Sequence, residues 1–200
     1  MITLHVKAQF LQPVLGTASN NPTIFSDYNA SLAPDAVKKQ EEIEMLGAGE
    51  YTDKNTTVFL RNDDGEPVVI DYQIKGFFKD ACSMMRRVKG SESEKMKAYK
   101  KIIDGTIFVY PRFIPIKFEG DIDYKERPLR AQTPQGERIC LASSEMIPED
   151  SEIEFDVECL NDGDKKAVIE WLDYGAKRGL LQWRNAGYGR FAYTYTEEKS

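Results

Sequence analysis

The chain has 200 residues, of which 41% are hydrophobic and 11% aromatic, enough for a packed core and too apolar for a disordered polymer. Its 27 basic and 33 acidic residues leave a formal charge of −6, which excludes a general basic coat, so nucleic acid would have to meet a local patch. No apolar run approaches the ~20 residues of a membrane span. Met1-Ile-Thr-Leu-His-Val-Lys lacks the order of a secretory leader, and three separated cysteines (Cys82, Cys140, Cys159) make no disulfide framework, so a cytoplasmic location is expected.

Residues 1–12 alternate as a first strand, with Ile2, Leu4 and Val6 on one side and Thr3, His5 and Lys7 on the other, ending at Pro13. Residues 16–50 read as an inserted arm. It opens with turn formers (Gly16, Ser19, Asn20, Asn21, Pro22) and turns acidic around a short helix after Pro34-Asp35, stopping near Gly47 or Gly49. Thr56–Arg61 and Pro67–Tyr72 flank Asn62-Asp63-Asp64-Gly65-Glu66 as a hairpin. From Ile74 to Val88, Phe77, Phe78, Ala81, Cys82, Met84, Met85 and Val88 repeat at helical spacing, and Ser91–Lys101 reads as a second, more polar helix.

Thr106–Tyr110 and Ile114–Phe118 are strand-like. Residues 120–142 read as loop-rich, becoming a strand at Arg138–Ala142. Glu152–Leu160 alternates cleanly, with Ile153, Phe155, Val157 and Cys159 inward and an acidic outer row, the pattern of a half-buried antiparallel strand. Asp164–Tyr174 is an amphipathic helix, followed by a glycine-rich loop and a last strand, Arg190–Tyr195. The order predicts a single α+β domain over 1–200 with an antiparallel sheet.

The catalytic inventory is thin. His5 is the only histidine, and the chain has no Gly-x-Ser-x-Gly elbow, phosphate loop, dinucleotide fingerprint or close-spaced zinc ligands. No cofactor and no metal are expected. The informative stretch is Gly179-Leu-Leu-Gln-Trp-Arg-Asn-Ala-Gly187-Tyr-Gly189-Arg-Phe191. Its glycines permit left-handed dihedrals and close backbone approach. Arg178, Arg184 and Arg190 offer forks that match phosphate, and Trp183 and Tyr188 offer stacking faces. On the preceding helix, Lys75, Lys79 and Arg86 fall within about 40° of one another at ~100° per residue. From Lys75 to Lys101, nine Lys and Arg oppose only Asp80, Glu92 and Glu94. Arg127, Arg130 and Arg138 extend the basic track.

Gly179-x-Leu181, five residues, then Gly187-Tyr188-Gly189-Arg190-Phe191 resembles the glycine-rich loop of the repeat-associated RNA-binding (RAMP) superfamily, with leucine at 181 where that pattern has glycine. Tyr72-Gln-Ile-Lys75-Gly76-Phe-Phe-Lys79-Asp-Ala-Cys-Ser-Met-Met-Arg86-Arg87 is similar to the strand-to-helix junction of the family-seven backbone subunits of CRISPR effector complexes. Phe77 and Phe78 replace that junction's small serines. Ser144–Phe155 resembles a third motif, in family order. The chain also resembles small phage-encoded proteins.

The resemblance implies a ferredoxin-like (RRM-type) antiparallel sheet with helices on one face and an inserted arm. It implies RNA or single-stranded nucleic-acid backbone binding through Lys75, Lys79, Arg86, Arg127, Arg130, Gly179, Trp183, Arg184, Gly187, Tyr188, Gly189 and Arg190. Implied partners are RNA, a CRISPR-type complex, or further copies of the chain along RNA. Two other readings stay open. One is an endoribonuclease using His5, Tyr28 or Lys75, or a metal-dependent one using Asp27 or Asp35. The other is a protein-interaction factor acting on a defence complex through the acidic arm.

Overall fold

The computed structural model describes residues 1–19, 56–133 and 136–199, the side chains of 129–140 lying outside that description. Its centre is a four-stranded antiparallel sheet of β1 (Ile2–Phe10), β7 (Ile107–Tyr110), β11 (Glu152–Cys159) and β12 (Phe191–Lys199), in spatial order β12-β1-β11-β7. Two long helices, α1 (Asp71–Met85) and α3 (Asp162–Arg178), separate β1 from β7 and β11 from β12. The order strand, helix, strand, strand, helix, strand, paired fourth-first-third-second, is the ferredoxin-like arrangement. The α+β expectation is met.

Alternation sets the two faces of this sheet. Leu4, Val6, Ala8 and Phe10 of β1 and Ile153, Phe155, Val157 and Cys159 of β11 are buried beneath the helices. On the helix side, Phe78 packs on Trp171 of α3 with ring centroids 5.6 Å apart, and Phe77 meets Phe191 of β12 edge-on at 6.3 Å. Burial pushes the Cys159 thiol up to about 12, as suits a core thiol. Asn161 caps α3 by accepting from Asp164 N–H at 2.9 Å, with Asp162 and Asp164 in the first turn and Lys177 and Arg178 in the last, matching the helix dipole.

Outside the central sheet, β2 (Val14–Leu15), β3 (Ala18–Ser19), β4 (Thr57–Val58), β9 (Asp123–Thr133) and β10 (Gly136–Ile147) form a second sheet. Its main feature is a long two-stranded ribbon, β9 against β10, in register from Asp123↔Met146 to Thr133↔Gly136. A third, small sheet joins β5 (Leu60–Arg61), β6 (Pro67–Ile70) and β8 (Phe113–Pro115). The base of the ribbon is fixed by Glu145, whose side chain is only 8% exposed. It accepts from Phe59 N–H at 2.8 Å and from Arg61 at 2.9 Å, so a buried carboxylate is fully engaged.

Three sequence expectations need correction. Ser91–Lys101 is not a helix: turns run to Ala98, and α2 spans Tyr99–Thr106. The turns are pinned from outside by side chains, since buried Ser93 accepts from Trp171 Nε1 at 2.9 Å and donates to Glu170 at 2.6 Å. Residues 120–142 are not loop-rich. Both faces of the ribbon carry charge, so no apolar alternation betrays the strand (Tyr124-Lys-Glu-Arg-Pro). The basic helix starts at Asp71 rather than Ile74, because Gln73 Oε1 accepts from Ile70 N–H at 2.8 Å and turns the chain there. Most of the expected arm, with its helix after Pro34, lies outside the described residues. Its first residues, Gly16 to Ser19, return to the second sheet, where Ala18 pairs with Val58.

Candidate nucleic-acid interface

The loop between α3 and β12 is built on five residues of positive φ: Gly179, Leu181, Trp183, Gly187 and Gly189. Gly179 ends α3 at φ +90, and Gly187 (φ +90) and Gly189 (φ +70) follow a single 3-10 turn, Arg184–Ala186. Leu180 N–H donates to Gly189 O at 2.9 Å, closing the loop across its neck, while Gly189 N–H donates to Pro13 O at 2.9 Å. A Cβ at Gly179 would strike the Tyr188 carbonyl, and one at Gly189 the Leu180 carbonyl, so these two glycines are required by backbone-on-backbone contact. Leu181, standing where the RAMP-like pattern has glycine, keeps that backbone conformation at φ +66. The left-handed geometry costs a leucine about 1–2 kcal/mol, offset here by packing of its side chain against the core.

The loop carries its side chains into an open cleft of about 480 Å³ lined by Arg127, Arg178, Leu181, Trp183, Arg184, Asn185 and Ala186. Three elements supply its guanidinium groups: β9 gives Arg127, the end of α3 gives Arg178, and the loop gives Arg184. Arg127 lies flat over the Trp183 ring, 3.4 Å from its centroid, and Tyr188 meets the same ring edge-on at 5.8 Å. Desolvation in this stack lowers the Arg127 pKa, and its Nε is buried with no hydrogen-bond partner among the described residues. Arg178 donates to Asn185 Oδ1 at 2.5 Å, and Arg184 to Asp80 Oδ2 of α1 at 2.8 Å. Arg190 is exposed, its guanidinium beside Gly187. A smaller depression of about 210 Å³ shares Leu181 and Arg184 and runs on to Gln73 and Gly76 of α1. A Cβ at Gly76 would meet nothing within 4 Å, so the described fold does not itself demand a glycine there.

The single cationic seam expected from the sequence is divided in two. Arg127, Trp183, Arg184 and Tyr188 gather at the cleft, with Gly179, Gly187, Gly189 and Arg190 shaping its loop. Lys75, Lys79 and Arg86 instead line the side of α1 that faces α2 and β7. Lys79 pairs with Asp104 at 2.6 Å, Lys75 lies 5.2 Å from the Phe108 ring centroid, and Arg86 lies 5.4 Å from that of Tyr99. The reason is the 100° step of the helix: adjacent Lys79 and Asp80 point to different neighbours, one to α2 and one to the loop. The side chain of Arg130 falls outside the described residues. Sequence reasoning missed Asp80 and Asn185, the groups that hold Arg184 and Arg178; Asp80 was visible as the acid inside the basic helix.

The open face of the sheet has the opposite sign. Glu152, Glu154, Asp156 and Glu158 point there from β11, joined by Glu198 of β12. They are partly balanced by Lys7, 2.6 Å from Glu152, and Lys117, 3.2 Å from Glu154. His5 sits among them, 2.7 Å from Asp156 and 3.4 Å from Glu198. The hydrogen bond to Asp156, then that to Glu198, raises the imidazole pKa above its ordinary 6.5. The stabilisation this gives is complete below pH 6.5 and is lost as pH rises through the raised native value. Melting temperature should therefore fall more between about pH 5.5 and about pH 8 in the wild type than in His5→Gln; equal falls would show that His5 contributes nothing.

No protein-family model matches the chain, and no curated protein matches it in sequence. In three dimensions it is similar to a chain of the type III-B Cmr-beta complex, determined by cryo-electron microscopy bound to cognate target RNA. The TM-score is 0.55, the identity 13%, and the match covers 99% of this chain. It spans 61% of that chain's length. Among the described residues no helix is long and apolar enough to cross a membrane. Strand order, helix placement and this likeness together give the fold: a ferredoxin-type α+β sheet.

Proposed function

We propose that the chain binds single-stranded RNA without cutting it, gripping the sugar-phosphate backbone in the cleft of Arg127, Arg178 and Arg184. The observation that carries this reading is the convergence of three guanidinium groups, from three separate elements, on one open cleft beside the glycine loop. Phosphates follow the loop from Arg190 and past Arg184 toward Gly76, where the bare backbone of α1 permits close approach. Trp183 orients Arg127, and bases stack on the ring surface that Trp183 and Tyr188 leave exposed. Lys75, Lys79 and Arg86, on the far side of α1, add a second cationic stripe to the surface. The anionic open face of the sheet repels the polymer, so the RNA keeps to the loop and helix side. The likeness to a chain of an RNA-bound complex supports RNA as the polymer and a CRISPR-type assembly as its company.

The test is anisotropy of a labelled single-stranded RNA oligonucleotide at a series of salt concentrations. Each phosphate neutralised contributes about 0.7 to the slope of log affinity against log salt on single strands, so Arg127 and Arg178 give a slope of about −1.4, and all three arginines about −2.1. Arg127→Ala with Arg178→Ala should weaken binding at least about tenfold and flatten the slope by about 1.4. Unchanged affinity and slope in that variant would overturn the reading. The same RNA incubated with the protein, with and without magnesium, is expected to stay intact; cleavage would replace a binding role with a catalytic one.

A further inference from the structure

The cleft is cationic, but one of its three arginines is already occupied. Arg184 donates to Asp80 at 2.8 Å, the two side chains being 26% and 29% exposed. Among the described residues neither Arg127 nor Arg178 meets a carboxylate: Arg127 lies on Trp183, and Arg178 on the neutral amide of Asn185. Asp80 is also out of character for its surroundings, one of three acids among nine basic residues between Lys75 and Lys101. It projects from α1 toward the loop and touches the one cation that the cleft shares with the depression beside Gly76.

We propose that Asp80 is a built-in competitor for phosphate. In the free protein its carboxylate holds Arg184 against α1; an arriving phosphodiester takes the guanidinium over, and Asp80 turns to solvent. The exchange is easy because a partly exposed ion pair held by a single hydrogen bond is weak, whereas a phosphate offers a guanidinium a second parallel hydrogen bond. It keeps binding reversible, and the carboxylate left behind offsets the charge of one of the three cations in the salt dependence of the complex. Asp80 is thus a tuning residue of the site proposed above, on which this inference rests.

Asp80→Asn retains the shape and a neutral oxygen for Arg184 while removing the charge. Measured with the same RNA oligonucleotide, it should tighten binding by about fivefold, the worth of a surface ion pair. It should also steepen the salt slope by up to about 0.7. In an Arg184→Gln background the same substitution should change neither quantity, because the cation it releases is gone. A merely structural tie between loop and helix would leave the slope alone and cost melting temperature instead. Wild-type protein that binds through Arg127 and Arg178, with Asp80→Asn indistinguishable from it, overturns this inference and leaves the binding role standing. A gain that persists without Arg184 also overturns it, as a general effect of net charge. Wild-type protein that binds no RNA removes the binding role and the inference together.

Discussion

Gly189→Ala is expected to cost more than about 3 kcal/mol, a loss of the size seen only when a specific constraint is broken. Its Cβ would be driven into the Leu180 carbonyl, and backbone cannot step aside as a flexible side chain can. The residue also sits at φ +70, where any Cβ is strained by about 1–2 kcal/mol. Yielding would break two hydrogen bonds at once, Leu180 N–H to Gly189 O and Gly189 N–H to Pro13 O, both 2.9 Å. Gly187→Ala is the internal control. Its φ is +90, but its Cβ would find nothing closer than the Arg190 guanidinium at 3.8 Å, so only the dihedral strain of about 1–2 kcal/mol applies. Urea titrations of the two variants should therefore differ clearly. Equal losses would show that the neck of the loop is looser than described.

The second large effect belongs to Gly175, inside α3. Alanine is worth about 1 kcal/mol more than glycine in a helix interior, yet Gly175→Ala should destabilise by about 2–3 kcal/mol. Its Cβ would collide with the ring of Phe77 on α1. That ring is buried, tilted against Phe78 at 5.5 Å and edge-on to Phe191 at 6.3 Å, so it has nowhere to retreat. Truncating the obstacle should restore part of the loss. Gly175→Ala combined with Phe77→Leu should be less destabilised than the sum of the single changes by more than about 1 kcal/mol. Strict additivity would mean that the two helices separate easily.

Much of the central sheet was legible because its strands bury one face only. The clean alternation of Glu152–Leu160 and of residues 1–12 announced them, and the Phe/Ala/Cys repeat announced α1. The ribbon was not legible. A two-stranded element with charge on both faces leaves no period-two signal, and its register comes from Glu145 and the pairing partner rather than from its own residues. The turns from 86 to 98 escaped for a related cause: Glu170 and Trp171, bonded to Ser93, decide their path from 77 or 78 residues away. At the candidate site, the glycines and arginines of the loop were readable as a cluster because they are adjacent in sequence. Arg127 meets that loop only through tertiary packing. The split of the α1 cations between two neighbours follows from where α2 and the loop happen to lie.

The ribbon is footed through Glu145, Phe59 and Arg61, with Phe59 and Ile147 buried in the same core as the central sheet, and it touches the glycine loop through Arg127 on Trp183. One jaw of the cleft is therefore carried on a ribbon tied to the core at its base. The gape can be retuned by lengthening, shortening or re-registering that ribbon while the helices and their aromatic core stay as they are. Such a mounting lets one scaffold carry clefts of different width.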